Sequence, residues 1–175
     1  TKASGESVKL PGFILPAENI HHKVLWKIAD GCGNVDQCQS TVLVVDKKAP
    51  TPYCVHISTA IMQTNPKMVE LWAKDFDKGA FDNCSPQNKL YFTFDEIYPV
   101  FSKLNVEHFF KAKAGQREGV DATAAEYAQG RAQKWLPNLR SSGKVWTSAG
   151  VTNIKVSVWD ESWNTDFCEV ELKII

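Results

Sequence analysis

Two stretches of this chain repeat one pattern: residues 24–38 read VLWKIADGCGNVDQC, and residues 154–168 read IKVSVWDESWNTDFC. Each stretch combines an alternating apolar strand, an acidic turn and a second strand with a cysteine near its start. At a constant offset of 130 positions the residue types match at Asp30 and Asp160, Asn34 and Asn164, Asp36 and Asp166, and Cys38 and Cys168. Because self-similarity at a fixed, domain-sized period is typical of modular arrays, the sequence predicts repeated domains.

The two copies differ in how much sequence precedes them. The second copy follows about a domain's worth of chain, whereas the first follows only about twenty residues. A strand pair without a sheet to pack on is marginal in water, and about 46 residues are too few to bury a core of their own. We therefore predict that residues 1–46 are the terminal strands of a preceding repeat. They would belong to a longer repeat protein or complete a sheet in a neighbouring molecule.

The rest of the chain reads as short strands separated by turn sequences. Several candidates alternate cleanly, and Asn-, Pro- and Gly-containing turns separate them. The predicted strands are His22–Ala29, Gln39–Val45, Cys54–Ile61, Met68–Lys74, Lys89–Phe94, Val151–Trp159 and Phe167–Ile175. This pattern predicts a mainly β domain over residues 53–175, an immunoglobulin-like β-sandwich. The segment Lys47–Pro52, KKAPTP, predicts a short, stiff linker because its two prolines favour an extended path.

Residues 100–147 interrupt the β pattern and are expected to form a helical insertion in the sandwich. Within them, Ala122–Trp135 predicts a helix with Thr123 as N-cap and Glu126 in capping-box position. The aromatic residues of this insertion are expected either to pack on its own sandwich or to form a contact surface for a partner or a glycan.

Composition excludes several functional classes. The chain carries 20 basic and 20 acidic residues without a basic stripe, so nucleic acid is not an expected partner. No apolar run approaches the ~18 residues of a membrane span. The four histidines form no metal-ligand pair, and neither a nucleophile elbow nor a phosphate-binding glycine loop is present, so the chain is not expected to be an enzyme.

Carboxylates concentrate in the predicted turns. Calcium prefers about six to eight oxygen ligands from loops of this kind. In an immunoglobulin-like sandwich the relevant loops and the linker meet at one end, which predicts a calcium site with the ligands Asp46, Asp75, Asp77, Asp82, Asp160 and Glu161. The alternative is a set of solvated turn carboxylates paired with the nearby lysines Lys47, Lys48, Lys74 and Lys78.

Five cysteines lie beside turn or strand-start signals. No C-x-x-C pair occurs, which argues against a zinc ribbon or a thioredoxin motif. Disulfides in a β-rich domain would imply an oxidising, extracellular setting, whereas buried thiols would simply pack as small apolar groups.

The order of PTPYC, WAKDFDKGAFDNCS, an acidic turn and a last-strand cysteine resembles the hyalin-repeat-like (HYR) domain, an immunoglobulin-like module of extracellular proteins. The segments ATAAEYAQGRAQKW and VSVWDESWNTDFCEVEL resemble repeats of very large secreted surface proteins of gliding-type bacteria. The resemblance implies a non-catalytic structural or adhesive module of an extracellular fibre or filament, an adhesin at the cell surface. Its partners would be neighbouring copies of the repeat.

The resemblance also implies a disulfide between Cys54 and Cys168. Cys38 would then pair with a cysteine upstream of the chain or locally with Cys32, and the pairing of Cys84 stays open. A second functional reading is a carbohydrate-binding module that contacts surface glycans. A flat patch of exposed Trp or Tyr would favour that reading, and buried aromatics favour the structural module.

Overall fold

The structure is a computed structural model. It describes residues 21–61, 67–95, 97 and 122–175, together with the backbone of residues 108–111. The chain divides into two compact units, unit 1 (Thr1–Lys47) and unit 2 (Lys48–Ile175). The predicted opening strands before residue 21 lie outside the described residues, as does most of the predicted insertion before residue 122.

The described residues are mainly β. One short α-helix, α1, spans Ala124–Ala128. The strands are β1 His21–Ala29, β2 Val35–Leu43, β3 Ile57–Thr59, β4 Val69–Trp72, β5 Tyr91–Phe94, β6 His108–Lys111, β7 Ala132–Leu136, β8 Ser141–Trp146, β9 Gly150–Trp159 and β10 Thr165–Ile174.

The described part of unit 1 is an antiparallel hairpin of β1 and β2. Its ladder runs without interruption from the pair Ala29–Val35 beside the turn to the pair His21–Leu43 at the open end. Most of its large apolar side chains are exposed. The alternating residues of β1 therefore present an apolar face that the described residues of unit 1 leave in contact with solvent.

Unit 2 is built on one continuous sheet with the strand order β3-β10-β9-β5-β8-β7-β6, and β4 pairs with β8. The pairs β3–β10 and β5–β8 are parallel, and the remaining pairs are antiparallel. The long hairpin β9–β10 thus lies inside the sheet, with β5 on one side and β3 on the other.

The core of unit 2 covers both faces of β9. Val156 and Val158 pack on one face with Phe92 and the apolar residues of β10. Trp159 lies on the other face, fully buried, and its Nε1 donates a hydrogen bond to Thr93 Oγ1 at 2.9 Å. The described part of unit 2 is therefore mainly β, with β9 covered on both faces of the sheet.

The predicted helix over Ala122–Trp135 is too long. Thr123 caps α1 in the predicted capping box with Glu126, but the helix ends before Gly130, whose φ of 71° is left-handed. A side chain could not replace this glycine without strain, because a Cβ would lie 2.6 Å from the carbonyl oxygen of Val145. The chain then continues as β7.

The predicted helical insertion is corrected accordingly. Strand β8 is bonded to β4, β5 and β7, so residues 141–146 form part of the main sheet. Burial decides this outcome, because Trp135 and Val145 are almost fully covered there and tertiary packing overrides a weak helical propensity.

The predicted linker is partly attached to unit 2. Thr51 and Phe81 exchange backbone hydrogen bonds of 2.8 and 3.1 Å, and Pro50 is buried. Residues 50 and 51 are thus held by the second unit.

Candidate functional site: a repeated hairpin with an acidic turn

The turn of the first hairpin is organised by one carboxylate. Asp30 Oδ1 accepts hydrogen bonds from the N–H groups of Cys32 and Asn34 at 2.9 and 2.8 Å, and Asp30 Oδ2 accepts one from Asn34 Nδ2 at 2.6 Å. Asp30 N also donates to Asn34 O at 3.0 Å. An aspartate that bonds the backbone two residues ahead stabilises a turn locally.

The turn of the second hairpin has the same bonds. Asp160 Oδ1 accepts from Ser162 N and Asn164 N, both at 2.8 Å, and Asp160 Oδ2 accepts from Asn164 Nδ2 at 2.7 Å. Asp160 N donates to Asn164 O at 3.1 Å. The sequence repeat is therefore also a repeat of hydrogen bonds.

The strand register is repeated as well. The pair Ala29–Val35 corresponds to Trp159–Thr165, and Trp26–Cys38 corresponds to Val156–Cys168. Every pair of the first ladder has its counterpart in the second at the same offset of 130 positions. Register normally follows from the hydrophobic pattern and from turn geometry, and here both are shared.

Burial separates the two copies. On the core face of β9 and β10, Val156, Val158 and Leu172 are fully covered. Their counterparts Trp26, Ile28 and Val42 are 41%, 67% and 37% exposed. Exposed apolar faces of this kind on soluble proteins mark contact surfaces for other chains or segments.

A disulfide joins the second hairpin to the start of unit 2. Cys54 and Cys168 are bonded, with their Cα atoms 6.3 Å apart and a sequence separation of 114. The resemblance stated above implies this same pair. The bond clamps the segment before β3 to β10.

The alternative pairing of Cys32 with Cys38 is not formed. Both thiols are free and exposed. Cys32 lies in the turn, where its N–H bonds Asp30, and Cys38 lies along β2 opposite Trp26. Cys84 lies outside the disulfide, and its sulfur accepts a hydrogen bond from Asn83 Nδ2 at 2.8 Å.

Two of the predicted metal ligands meet in unit 2. One carboxylate oxygen of Asp82 lies within 4.8 Å of one carboxylate oxygen of Asp160. Asp160 is fully buried. Asp82 Oδ2 accepts hydrogen bonds from Cys84 N and Ser85 N at 2.8 and 2.7 Å. Its other oxygen, Oδ1, is buried without a hydrogen-bond partner among the described residues.

The other predicted ligands have different surroundings. Asp75 Oδ2 accepts from Trp72 N at 2.8 Å, and Asp77 Oδ1 accepts from Gly79 N and Ala80 N at 3.1 and 2.7 Å. Glu161 forms an ion pair with Lys89 at 3.2 Å. Asp46 belongs to unit 1, so its contribution to a site on unit 2 stays a prediction.

The hydrogen bonds of the first turn also act on the ionisation of Asp30. The pKa of Asp30 lies below its ordinary value of 3.8, because the Asn34 side chain and nearby backbone N–H groups bond its charged form. These bonds favour the charged carboxylate over its protonated form.

Two aromatic residues of α1 and of β7, which follows it, are buried. Trp135 is fully buried, and Tyr127 packs against Val145. An exposed aromatic group instead lies at the second turn, which sequence reasoning missed. The ring of Trp163 contacts that of Tyr91 at 5.4 Å between centroids and an interplanar angle of 35°, and the Arg140 guanidinium lies 4.7 Å from the Tyr91 ring.

Trp163 has a left-handed backbone with a φ of 66°. The position equivalent to it in the first hairpin is Gly33, with a φ of 93°. Alignment of the two copies was the signal that could have revealed this strained tryptophan, because it places a bulky residue where glycine is favoured.

No family model matches the chain, and no curated protein matches it in sequence. None of the described helices is long and apolar enough to cross a membrane. The first hairpin is therefore compared with the second hairpin of the same chain, which shares its turn and its strand register.

Proposed function

We propose that this chain is a structural module of a repeat-built extracellular protein, a fibre or adhesin at the cell surface, without catalytic activity. The repeated hairpin supports this role. Two copies share the turn bonds and the strand register, which is the expected result of a duplicated domain. The fold of unit 2 would be of the immunoglobulin-like, HYR type.

The exposed face of the first hairpin carries the proposal. In unit 2 the equivalent face is covered by a sheet and its core. In unit 1 the same positions hold exposed Trp26, Ile28 and Val42. A hairpin with this sequence gains stability when strands from another repeat cover it, in the same polypeptide or by strand addition between subunits. Head-to-tail contacts of that kind extend without closing and build a fibre.

The Cys54–Cys168 bond supports an extracellular location. Disulfides persist in oxidising compartments and are rare where thiols are kept reduced. A clamp between the start of unit 2 and its last strand also suits a module that bears tension, because it ties both ends of the domain together.

Hydrogen exchange tests the proposal within one molecule. In a dilute monomer, the amides of residues 22–46 should exchange fast while those of β9 and β10 stay protected, since only the second hairpin is covered. The second hairpin is the internal control, because its turn and register are the same. Strong protection of residues 22–46 in a strict monomer would contradict the proposal.

A calcium ion at Asp82 and Asp160 is part of the proposed role. A buried carboxylate oxygen without a hydrogen-bond partner, next to a second carboxylate, is stabilised when a cation binds between them. Calcium at about a hundred times its Kd should raise the melting temperature by about 5 to 10 °C over the chelated protein.

The matched variants sharpen the calcium test. Asp82→Asn should abolish the calcium-dependent shift. Asp75→Asn should keep it, because Asp75 serves its own turn through Trp72 N. Identical melts with calcium and chelator would contradict a calcium site.

The exposed Trp163 favours a second candidate function, binding of a surface glycan. A tryptophan held in left-handed backbone beside Tyr91 offers a ring face to a sugar at a cost in local strain. Trp163→Gly should keep the fold, since Gly33 fills the equivalent position, and should abolish retardation in gels that contain dextran or xylan. Tyr53→Ala, another exposed aromatic change, is the control. Unchanged migration of the parent protein would contradict this function.

A further inference from the structure

We propose that Cys38 is a docking cysteine: it forms a disulfide with a cysteine of an extended segment that adds in parallel to β2 and comes from another copy of the repeat. This inference rests on the proposed function and specifies its partner. The segment would have the chemistry of residues 51–59 of this chain, TPYCVHIST.

In unit 2 a segment of this kind is already bound to the second hairpin, by strand pairing and by a disulfide. Strand β3 lies parallel to β10, with Ile57 opposite Leu172 and Thr59 opposite Ile174. Ile175 N donates to Thr59 O at 2.8 Å. Just before β3, Cys54 is bonded to Cys168 of the same strand β10. One short segment is thus held by a ladder and by a disulfide.

A histidine adds a third attachment in unit 2. Glu171 N donates a hydrogen bond to His56 Nδ1 at 2.8 Å. The backbone N–H groups of Glu171 and Ile175 therefore both point towards the segment that contains His56 and β3.

The first hairpin contains the counterparts of the β10 residues that hold this segment in unit 2. At the offset of 130 positions, Cys38 corresponds to Cys168, Thr41 to Glu171 and Val45 to Ile175. The shared ladder from Ala29–Val35 onwards fixes this correspondence in space as well as in sequence. Cys38 is free and exposed, whereas its counterpart is bonded.

The outer edge of β2 fits a strand with an apolar residue after its cysteine. In unit 2, Ile57 packs against the core to which Leu172 belongs. The counterpart of Leu172 is Val42, which is 37% exposed. An incoming segment that resembles TPYCVHIST would bury Val42 while its cysteine reaches Cys38.

The other thiols lack these features. Cys32 corresponds to Ser162, a turn residue, so no bonded counterpart exists for it. Cys84 lies in unit 2. Both are exposed thiols and serve as internal controls for simple accessibility.

The covalent step is thiol–disulfide exchange. If the incoming cysteine is present as a mixed disulfide with a small thiol, the Cys38 thiolate attacks its sulfur, the new S–S bond forms and the small thiol leaves with the electron pair and a proton. From two free thiols, a low-mass disulfide accepts the two electrons and is reduced to two thiols.

The experiment uses the full chain and the peptide TPYCVHIST with its cysteine activated by 5-thio-2-nitrobenzoate. Released thionitrobenzoate gives the rate, and peptide mapping assigns each adduct. The Cys38-to-Cys32 ratio of adducts should be about tenfold higher than with a scrambled peptide of the same composition. Equal ratios for the two peptides, or Cys38–Cys38 dimers as the main product, would overturn the proposal.

A backbone variant tests the strand register. Val45→Pro removes the N–H that corresponds to Ile175 N, and it lies beyond the end of β2 at Leu43, outside the ladder with β1. It should abolish the preference for Cys38, and Val45→Ala should retain it. A preference that survives Val45→Pro would show reactivity without strand addition and overturn the proposal.

The two proposals fail in different ways. Loss of selective labelling, with residues 22–46 still unprotected in the monomer, would remove the docking cysteine and leave the structural module in place. Strong protection of residues 22–46 in a monomer whose Cys38 is still labelled selectively would contradict the structural module alone.

Discussion

The hairpins β1–β2 and β9–β10 have one local structure and two opposite environments. Asp30 and Asp160 accept the same three hydrogen bonds in their turns, within 0.1 Å for each pair of distances. Yet Ile28 is 67% exposed, and its counterpart Val158 is fully buried. The turn and register are properties of the local sequence, whereas burial depends on neighbouring strands that only unit 2 supplies among its described residues.

The largest difference between the hairpins is expected from their cysteines. Cys54→Ser should lower the free energy of unfolding of unit 2 by about 4 to 5 kcal/mol, because the disulfide closes a loop of over a hundred residues. Cys38→Ser, the equivalent change in the first hairpin, should leave it unchanged. Urea denaturation measures both, and equal effects would contradict the distinction drawn between the hairpins.

Core packing should give the next largest difference. Leu172→Ala removes a fully buried side chain and should cost about 3 kcal/mol, from lost burial and the cavity left behind. The matched change Val42→Ala should cost less than about 0.5 kcal/mol in the monomer, because exposed positions contribute little. If Val42→Ala proved as costly in urea denaturation, the first hairpin would already be covered in the monomer.

The turn aspartates should differ less. Asp160→Ala leaves the N–H groups of Ser162 and Asn164 without their acceptor beside the core and should cost about 2 kcal/mol in the presence of chelator. Asp30→Ala should have a much smaller effect, because water can replace the acceptor at an exposed turn. Urea denaturation of the two variants measures the loss of unfolding free energy in each. Equal losses would show that burial of the turn does not change the contribution of its aspartate.

The smallest effect concerns pH. The pKa of Asp30 is lowered in the folded hairpin by Asn34, so the carboxylate stabilises the turn above its ordinary pKa of 3.8, and this contribution is lost as pH falls through the lower folded value. Asn34→Ala should bring the pKa back towards 3.8 in an NMR titration of the Asp30 carboxyl carbon. An unchanged titration would show that Asn34 is not the cause.

Much of the strand pattern was predictable from alternation. The prediction over His22–Ala29 is confirmed, and those over Val151–Trp159 and Phe167–Ile175 agree within about two residues. Strands β7 and β8 were not predicted. Their buried polar residues, such as Gln133 and Ser142, bond each other inside the sheet at 2.9 Å, and polar residues in a core hide the apolar alternation that identifies a strand.

The candidate site was only partly readable. The turn aspartates were recognised from their repetition, and the structure brings Asp82 and Asp160 together. Asp75 and Asp77 were grouped with them because their loop was expected at the same end of the sandwich, and each bonds backbone N–H groups of its own turn. Asp82 and Asp160 bond backbone N–H groups of their own turns as well. Local bonding of this kind therefore does not decide which carboxylates meet, and that outcome depends on tertiary contacts that sequence spacing does not show.

The sequence by itself determined the two hairpins, their turns and the equivalence of their residues, because side-chain to backbone bonds and two-residue alternation act within a few positions. The tertiary structure alone decided which hairpin is buried, where the helix after Thr123 ends and how Cys54 and Cys168 meet. These outcomes depend on contacts between residues far apart in the chain, whose free energy is gained only when the whole sheet forms.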